Sequence, residues 1–473
     1  MGAQSWLGCL IGAGLALSAS ASAKPHEPAA QPRPNVVVIL ADDAGYADFG
    51  FQGSRQFQTP NIDALAREGV VFSAAYATTP FCSPSRAGLL TGRYPQRFGY
   101  EFNLTHAPPP GVDPRFMGLA REEKTLGDHF RTAGYRTIAV GKWHVGSLPQ
   151  YHPNVRGFDD FYGFLDGGST YFAEQIKPGT IERNGQPAAP SVYLTDDFGR
   201  EANGYIAANR DRPFLLYLAF NAVHTPMDAS KADLRQVAHI ADPQRRRLAA
   251  MTLGLDRAVG AVRAKLRQLK LDERTLIVFT NDNGGDQIGL DASNAPLRGT
   301  KGTLLEGGIR VPLIVRFPDR RGAGTRRDDP VSLMDVAPTA LAITGLPIPA
   351  NLDGRSLFGN PADGTRTLYW RYDNMAAVRE GRWKLLRYPD RPPELYDLAT
   401  DIGEAADRAS AEPAVVRSLM SKLFAWEGTL THPRWNTGTF WSQEDVRRYS
   451  DAHVAAKIAA EKADLGGEGG KPD

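Results

Sequence analysis

Cys82, Arg86, Asp42, Asp43, Lys142, His144, His224, Asp282 and Asn283 are the side chains whose types and neighbours could do chemistry in this 473-residue chain. The three carboxylates and the amide oxygen are hard donors, suited to Ca2+ or Mg2+; Zn2+ would prefer His and Cys. Lys142 and His144 stand two residues apart, on one side if the segment is extended, and two such groups suit a bound oxyanion. Cys82 opens the segment CSPSRAGLLTG, in which Ser83 can cap a helix, Pro84 fits its first turn and Arg86 follows. A thiol at a helix N-terminus beside an arginine is stabilised as the anion, so these residues alone point to a thiolate nucleophile. Taken singly, Asp-Asp and Asp-Asn-Gly are equally turn sequences, and a lone histidine usually faces solvent.

The combination gains weight from the elements that would carry it. Apolar runs at 36–40, 137–140, 214–220, 276–280 and 313–317 predict buried strands. Helical patterns lie between them, at 60–68 with Thr59 as cap and Gly69 as stop, at 126–133 ahead of Gly134, and at 245–269. Their alternation predicts an α/β fold, a large mainly parallel sheet flanked by helices. Functional groups of such sheets collect at the carboxyl ends of the strands. Here successive strand ends deliver Asp42-Asp43, Lys142-Trp143-His144, His224 and Asp282-Asn283 to one edge. Beyond about Gly354 the pattern changes to short strands at 367–372, 376–379, 383–388 and 394–398, turned at Glu380-Gly381, then a helix at 413–426. The expected organisation is a catalytic domain over 35–353 and a smaller C-terminal antiparallel sheet plus helix over 354–460. A lead-in at 24–34 precedes them, and a Gly-rich, charged tail at 461–473 is expected to be disordered.

With those residues in order, the chain resembles the sulfatase family. Cys82 to Arg86 with Leu89, Leu90, Thr91 and Gly92 matches the family's first signature, and GYRTIAVGKWH at 134–144 its second. NVVVILADDAGYADFG, TPNIDALAREGVVF and LRGTKGTLLEGGIRVP occur in family order, and the similarity spans roughly residues 35 to 400. The resemblance implies an alkaline-phosphatase-like fold and hydrolysis of sulfate monoesters, by analogy on a carbohydrate. It implies that a maturation enzyme converts Cys82 to formylglycine, an aldehyde whose hydrate replaces the thiolate as nucleophile. Asp42, Asp43, Asp282 and Asn283 are then implied as ligands of Ca2+, or of Mg2+, with residue 82 completing the shell. Arg86 would hold the diol, while Lys142, His224 and Lys301 would bind the sulfate oxygens. Asp282 would help deprotonate the diol, His224 would protonate the leaving alcohol, and His144 would be the base that collapses a sulfated hemiacetal. The second hydroxyl of the hydrate lets sulfate leave without water attacking sulfur. Phe81 is unusual just before the cysteine. A serine that contacts the site in some relatives has no clear match, Ser169 being the nearest.

The rival reading from the same superfamily is a phosphatase, phosphodiesterase or phosphonate hydrolase, which the Cys82 motif opposes. A catalytically silent glycan-binding relative is opposed by the filled site positions. Fifty-five Lys and Arg against 53 Asp and Glu leave a net charge of +2, which gathers neither nucleic acid nor a membrane surface. An anionic substrate, whether a sulfated small molecule or a glycan, must be held by a local cluster. Residues 1–23 lack charged side chains, 6–17 are apolar, and Ala21-Ser22-Ala23 fits a signal-peptidase site, so export to the periplasm or beyond is expected. Cleavage would remove Cys9 and leave Cys82 as the lone cysteine. The segments at 94–117 and 435–441 are the expected substrate loops.

Overall fold

The computed structural model of the chain divides into two units, Met1–Pro32 and Arg33–Asp473. It describes residues 33–104, 108–357, 366–436, 443 and 446–467, together with residues 1, 2, 4, 8 and 9 of the first unit. The expected signal peptide lies almost entirely outside the described residues, as do 437–441 of one expected substrate loop. No helix among the described residues is long and apolar enough to cross a membrane.

In the second unit β1 (Asn35–Ala41), β2 (Val70–Tyr76), β3 (Arg136–Lys142), β4 (Asp160–Phe164), β5 (Glu182–Arg183), β6 (Gln186–Pro187), β7 (Phe214–Ala219), β8 (Thr275–Asn281), β9 (Arg310–Arg316), β10 (Thr325–Arg327) and β11 (Val331–Ser332) form one sheet. Its order is β10-β2-β9-β8-β1-β7-β3-β4-β5-β6, with β11 beside β2. The central strands β8, β1, β7 and β3 run parallel. They are buried on both faces, which is why they read as continuous apolar runs and not as alternating ones. Val36, Val38 and Leu40 face a core shared with the Cys82–Thr91 and Val336–Ile343 helices. Val37 and Ile39 face the opposite core, under the Leu194–Ala208 and Pro243–Gln268 helices. Each such aliphatic side chain contributes about 1.5–3 kcal/mol on burial, so the middle of the sheet is fixed and its ends are free to carry polar groups.

β2 was not expected from the sequence. Only Val70, Val71 and Phe72 carry a strand signal, and Ser73, Ala74 and Ala75 do not; pairing with antiparallel β9 extends it to Tyr76. A second sheet follows, with β12 (Thr367–Tyr372), β13 (Met375–Glu380), β14 (Trp383–Arg387) and β15 (Glu394–Asp397) antiparallel in sequence order. Along β12, Leu368, Trp370 and Tyr372 alternate inward onto the main core. Val378, Leu385 and Leu395 turn the other way, beneath Leu419, Leu423 and Trp426 of the Pro413–Glu427 helix.

The tail differs from expectation, because a helix runs over Asp451–Gly467 and so through the first residues of the segment expected to be disordered. Lys462 anchors it with Nζ 3.0 Å from Asp242 Oδ2 and 2.9 Å from Asp291 Oδ2. Residues 468–473 lie outside the described residues.

Candidate active site

Register brings the strand ends together. Leu40 stands opposite Ala219, Ala41 opposite Asn281, and Gly141 opposite Ala219, so the residues after β1, β3, β7 and β8 emerge side by side. Asp42 extends the ladder through its N–H to the Ala222 carbonyl, and Asp282 donates its N–H to the Ala41 carbonyl. Asp43 takes a left-handed turn (φ 59°), which Asp tolerates better than a branched residue. Asn281 clamps that turn: its Oδ1 accepts from Ala44 N and its Nδ2 donates to Ala44 O.

The sequence-predicted residues converge. Donor atoms of Asp42, Asp43, Cys82 and Asp282 lie within 4.8 Å of one another, all buried. One oxygen of each carboxylate meets a base: Asp42 Oδ2 lies 2.5 Å from Lys142 Nζ, Asp43 Oδ2 lies 2.5 Å from Lys301 Nζ, and Asp282 Oδ2 lies 2.8 Å from Arg86. Arg86 also donates to the Lys142 carbonyl at 3.0 Å. The guanidinium thus fixes Asp282 and the end of β3. Asn283 donates Nδ2 to Asp43 Oδ1 at 2.8 Å. Burial pushes the Asp282 carboxyl up to about 6, with the Asp42 charge adding to it. Burial acts against the Lys301 ammonium, yet Asp43 raises its pKa well above the usual lysine value.

A divalent cation fits this cluster. Asp42 Oδ1 and Asn283 Oδ1 are buried without a hydrogen-bond partner, and a buried unsatisfied oxygen beside two more carboxylates is stabilised by a hard cation.

Cys82 is buried at the first turn of its helix, and burial followed by the Asp43 charge pushes its thiol well above the ordinary value, which works against the thiolate that the helix N-terminus alone would favour. Ser83 is not the cap. Phe81 takes that position without a side-chain bond, and Ser83 Oγ donates instead to the His144 carbonyl at 2.6 Å. The Ser83 N–H is satisfied by Asn103 Oδ1 at 2.9 Å, a residue that sequence reasoning missed. Phe81 packs edge-on between Phe102 and Tyr372, so the aromatic that looked unusual ties the start of this helix to the second sheet.

His144 also departs from expectation. β3 ends at Lys142 and His144 adopts φ 55°, so the two side chains are not on one face of an extended strand. Its Nδ1 is buried without a partner, and burial, then Lys142 and Arg86, hold its pKa well below 6.5. His224 donates Nδ1–H to the Thr225 carbonyl at 2.7 Å, which leaves Nε2 3.6 Å from Asp43 Oδ2. Burial and Lys142 bring its pKa down to about 4.

Above Cys82 opens a cavity of about 580 Å³, walled by His144, His224, Asn103, Leu104, Ser147 and the 165–170 loop. Ser169 belongs to that wall. Of the expected substrate loops, 94–117 contributes Asn103 and Leu104. Trp435 does not reach the cavity; it is buried, and its Nε1 donates to the carbonyls of Phe102 and Asn103 from behind. Apart from Ser169, the 165–170 loop was missed because Asp166-Gly167-Gly168 carries no signal beyond that of a turn.

Residues 34–346 match the family described as Sulfatase, and 300–426 match the family described as N-sulphoglucosamine sulphohydrolase, C-terminal. The N-acetylgalactosamine-6-sulfatase of Canis lupus familiaris is 33% identical over 376 residues, which cover 74% of this chain and 71% of that protein. The crystal structure of Ps i-CgsB in complex with k-i-k-neocarrahexaose superposes with TM-score 0.80 at 37% identity, covering 88% of this chain and 98% of that one. The PsFucS1 sulfatase from Pseudoalteromonas sp. gives 0.71 at 25% identity, covering 84% and 90%. A buried carboxylate cluster at the sheet edge, a cysteine beneath an open cavity and these similarities together make the chain a member of the sulfatase family, a sulfuric ester hydrolase of alkaline-phosphatase-like fold.

Proposed function

We propose that this enzyme removes a sulfate monoester from a carbohydrate, after export, with residue 82 in its formylglycine form. The observation that carries the proposal is Cys82 buried at the foot of the cavity, its donor atom within 4.8 Å of carboxylate oxygens of Asp42, Asp43 and Asp282. An aldehyde hydrate there would share a cation with those carboxylates, and the CSPSR segment suits maturation. The aldehyde hydrate would supply the attacking oxygen, and Ca2+ or Mg2+ held by Asp42, Asp43, Asp282 and Asn283 would supply Lewis acidity.

The chain's own residues do the rest. Lys142 and Lys301 are the cations nearest the carboxylates and offer their ammonium groups to the sulfate oxygens. Arg86 holds Asp282, which is placed within 4.8 Å of residue 82 to accept a proton from the hydrate. His144, neutral with a free Nδ1, is the base of the later step. His224 is neutral until an anionic ester arrives; that charge raises its proton affinity, and Nε2 can then protonate the leaving alcohol.

Hydroxyl and amide groups on the cavity wall support a sugar, as do the names of the sulfatase relatives. The apolar leader with its Ala21-Ser22-Ala23 site supports export.

The test is protein made with a formylglycine-generating enzyme and assayed on sulfated galactose, N-acetylgalactosamine and N-acetylglucosamine. Mass spectrometry should find the aldehyde at residue 82, chelation should abolish turnover, and Ca2+ or Mg2+ should restore it. Full activity from unmodified, metal-free enzyme would sink the mechanism.

A further inference from the structure

Asp166 sits on the wall of the same cavity as Cys82, His144 and His224, and it is the one carboxylate among the described residues lining it. No lysine or arginine is among the described residues lining that wall, which otherwise offers Asn103, Ser147, Ser169, Thr170 and Thr225 as neutral polar groups. The Asp166 side chain is exposed to the cavity mouth and has no hydrogen-bond or ion-pair partner among the described residues. It is therefore free to take one from the substrate.

Its loop is not a loose one. Trp143 N–H and His144 N–H donate to the Phe164 and Leu165 carbonyls at 3.0 and 3.1 Å, continuing the β3–β4 pairing into the loop. At the far end Asn221 Nδ2 donates to the Ser169 carbonyl, and Tyr171 OH bonds the carbonyls of Asn221 and His224 at 2.7 Å. Between these anchors the loop lies on the histidines. A Cβ at Gly167 would stand 2.8 Å from His144 Nε2, and one at Gly168 would stand 3.6 Å from His224 Cε1. Asp166 is thus held between two anchors on the cavity wall that it shares with His144 and His224.

From this placement we infer that Asp166 determines specificity, accepting hydrogen bonds from free hydroxyls of the sugar that bears the scissile sulfate and repelling a second sulfate on that ring. The inference rests on the carbohydrate reading above. A carboxylate can take two hydroxyl donors at once, which matches a vicinal diol and has no counterpart on an aryl sulfate. A second sulfate beside Asp166 would meet a negative charge that no ion pair among the described residues offsets.

The experiment compares matured, metal-loaded wild type with Asp166→Ala and Asp166→Asn on the same sulfated sugars and on 4-nitrophenyl sulfate. The ratio of kcat/KM on the best monosulfated sugar to that on 4-nitrophenyl sulfate should fall about 10- to 100-fold in Asp166→Ala, chiefly through KM, and less in Asp166→Asn. An equal loss on both substrates, or no loss on either, would overturn the role of Asp166 while leaving the carbohydrate reading intact. Wild type that cleaves 4-nitrophenyl sulfate and none of the sugars would instead overturn the carbohydrate reading, and Asp166's role with it.

Discussion

The two histidines at this site share a type and differ in surroundings. His224 commits Nδ1–H to a backbone carbonyl and keeps Nε2 near Asp43, whereas His144 has a buried Nδ1 without a partner. The first can pass a proton to a leaving alcohol, and the second is built to receive one. Protonation matters little for a phenolic leaving group and greatly for a sugar alkoxide. We therefore expect His224→Ala to recover on 4-nitrophenyl sulfate relative to a sugar sulfate, and His144→Ala to gain nothing from the change. His144→Ala should also release alcohol once and keep sulfate on the protein, detectable by intact mass. Identical responses of the two variants to leaving-group pKa, with no retained sulfate, would show that the roles are not separate.

At the scale of elements, the catalytic strands need outside support. Phe81, Phe102 and Tyr372 pack together behind the Cys82 helix, and Trp435 props the carbonyls of Phe102 and Asn103. The 165–170 loop closes the opposite side over His144, and only a glycine at 167 permits that approach. Gly167→Ala should displace the ring or the loop and lower kcat by about 100-fold, as small misplacements of catalytic groups do. Gly204→Ala is the control, since nothing lies within 4 Å of its added carbon in the Leu194–Ala208 helix. It should leave kcat and melting temperature near wild type or raise the latter slightly. Equal kinetics for the two variants would mean that the contact with His144 does not matter.

Across the whole molecule, the two sheets are joined by a buried charge network. Lys384 of β14 lies 2.9 Å from both Glu306 and Glu404. Glu306 also accepts from Tyr76 of β2 at 2.6 Å and pairs with Arg310 of β9, and Tyr76 accepts from Arg379 of β13. Glu404 further accepts the Glu306 N–H at 2.6 Å. Burial, with Glu306 beside it, pushes Glu404 from 4.5 up to about 7; against burial, Lys384 and Arg310 hold Glu306 down to about 2. A carboxyl raised on folding binds more protons in the native state. Its stabilisation is full below 4.5 and is lost as pH climbs through 7. Glu306 has the opposite sign and loses its contribution only as pH falls from 4.5 towards 2. The contribution of Glu404 should therefore fall as pH climbs from 4.5 to about 7, and Glu404→Gln should remove that part of the pH dependence. Denaturant melts across this range would show it; a slope unchanged in Glu404→Gln would assign it elsewhere.

The sequence by itself determined the central strands and the polar residues at their carboxyl ends. Runs of Val, Ile, Leu and Phe long enough to be buried on both faces can only be central strands, and polar residues directly after them must emerge at the sheet edge. That reasoning reached Asp42, Asp43, Lys142, His144, His224, Asp282 and Asn283, and the motif around Cys82 completed the set. The part that the tertiary structure decided depends on contacts between distant residues. Sequence could not see that Cys82 is fully buried, that Ser83 bonds the His144 carbonyl in place of capping its helix, or that His144 leaves the strand conformation. Nor did it find β2, whose last residues are held by pairing with β9 and not by their own propensity. Asp166 was invisible for the same reason: in the chain it is a turn residue, and only the packing of Gly167 on His144 brings it to the cavity.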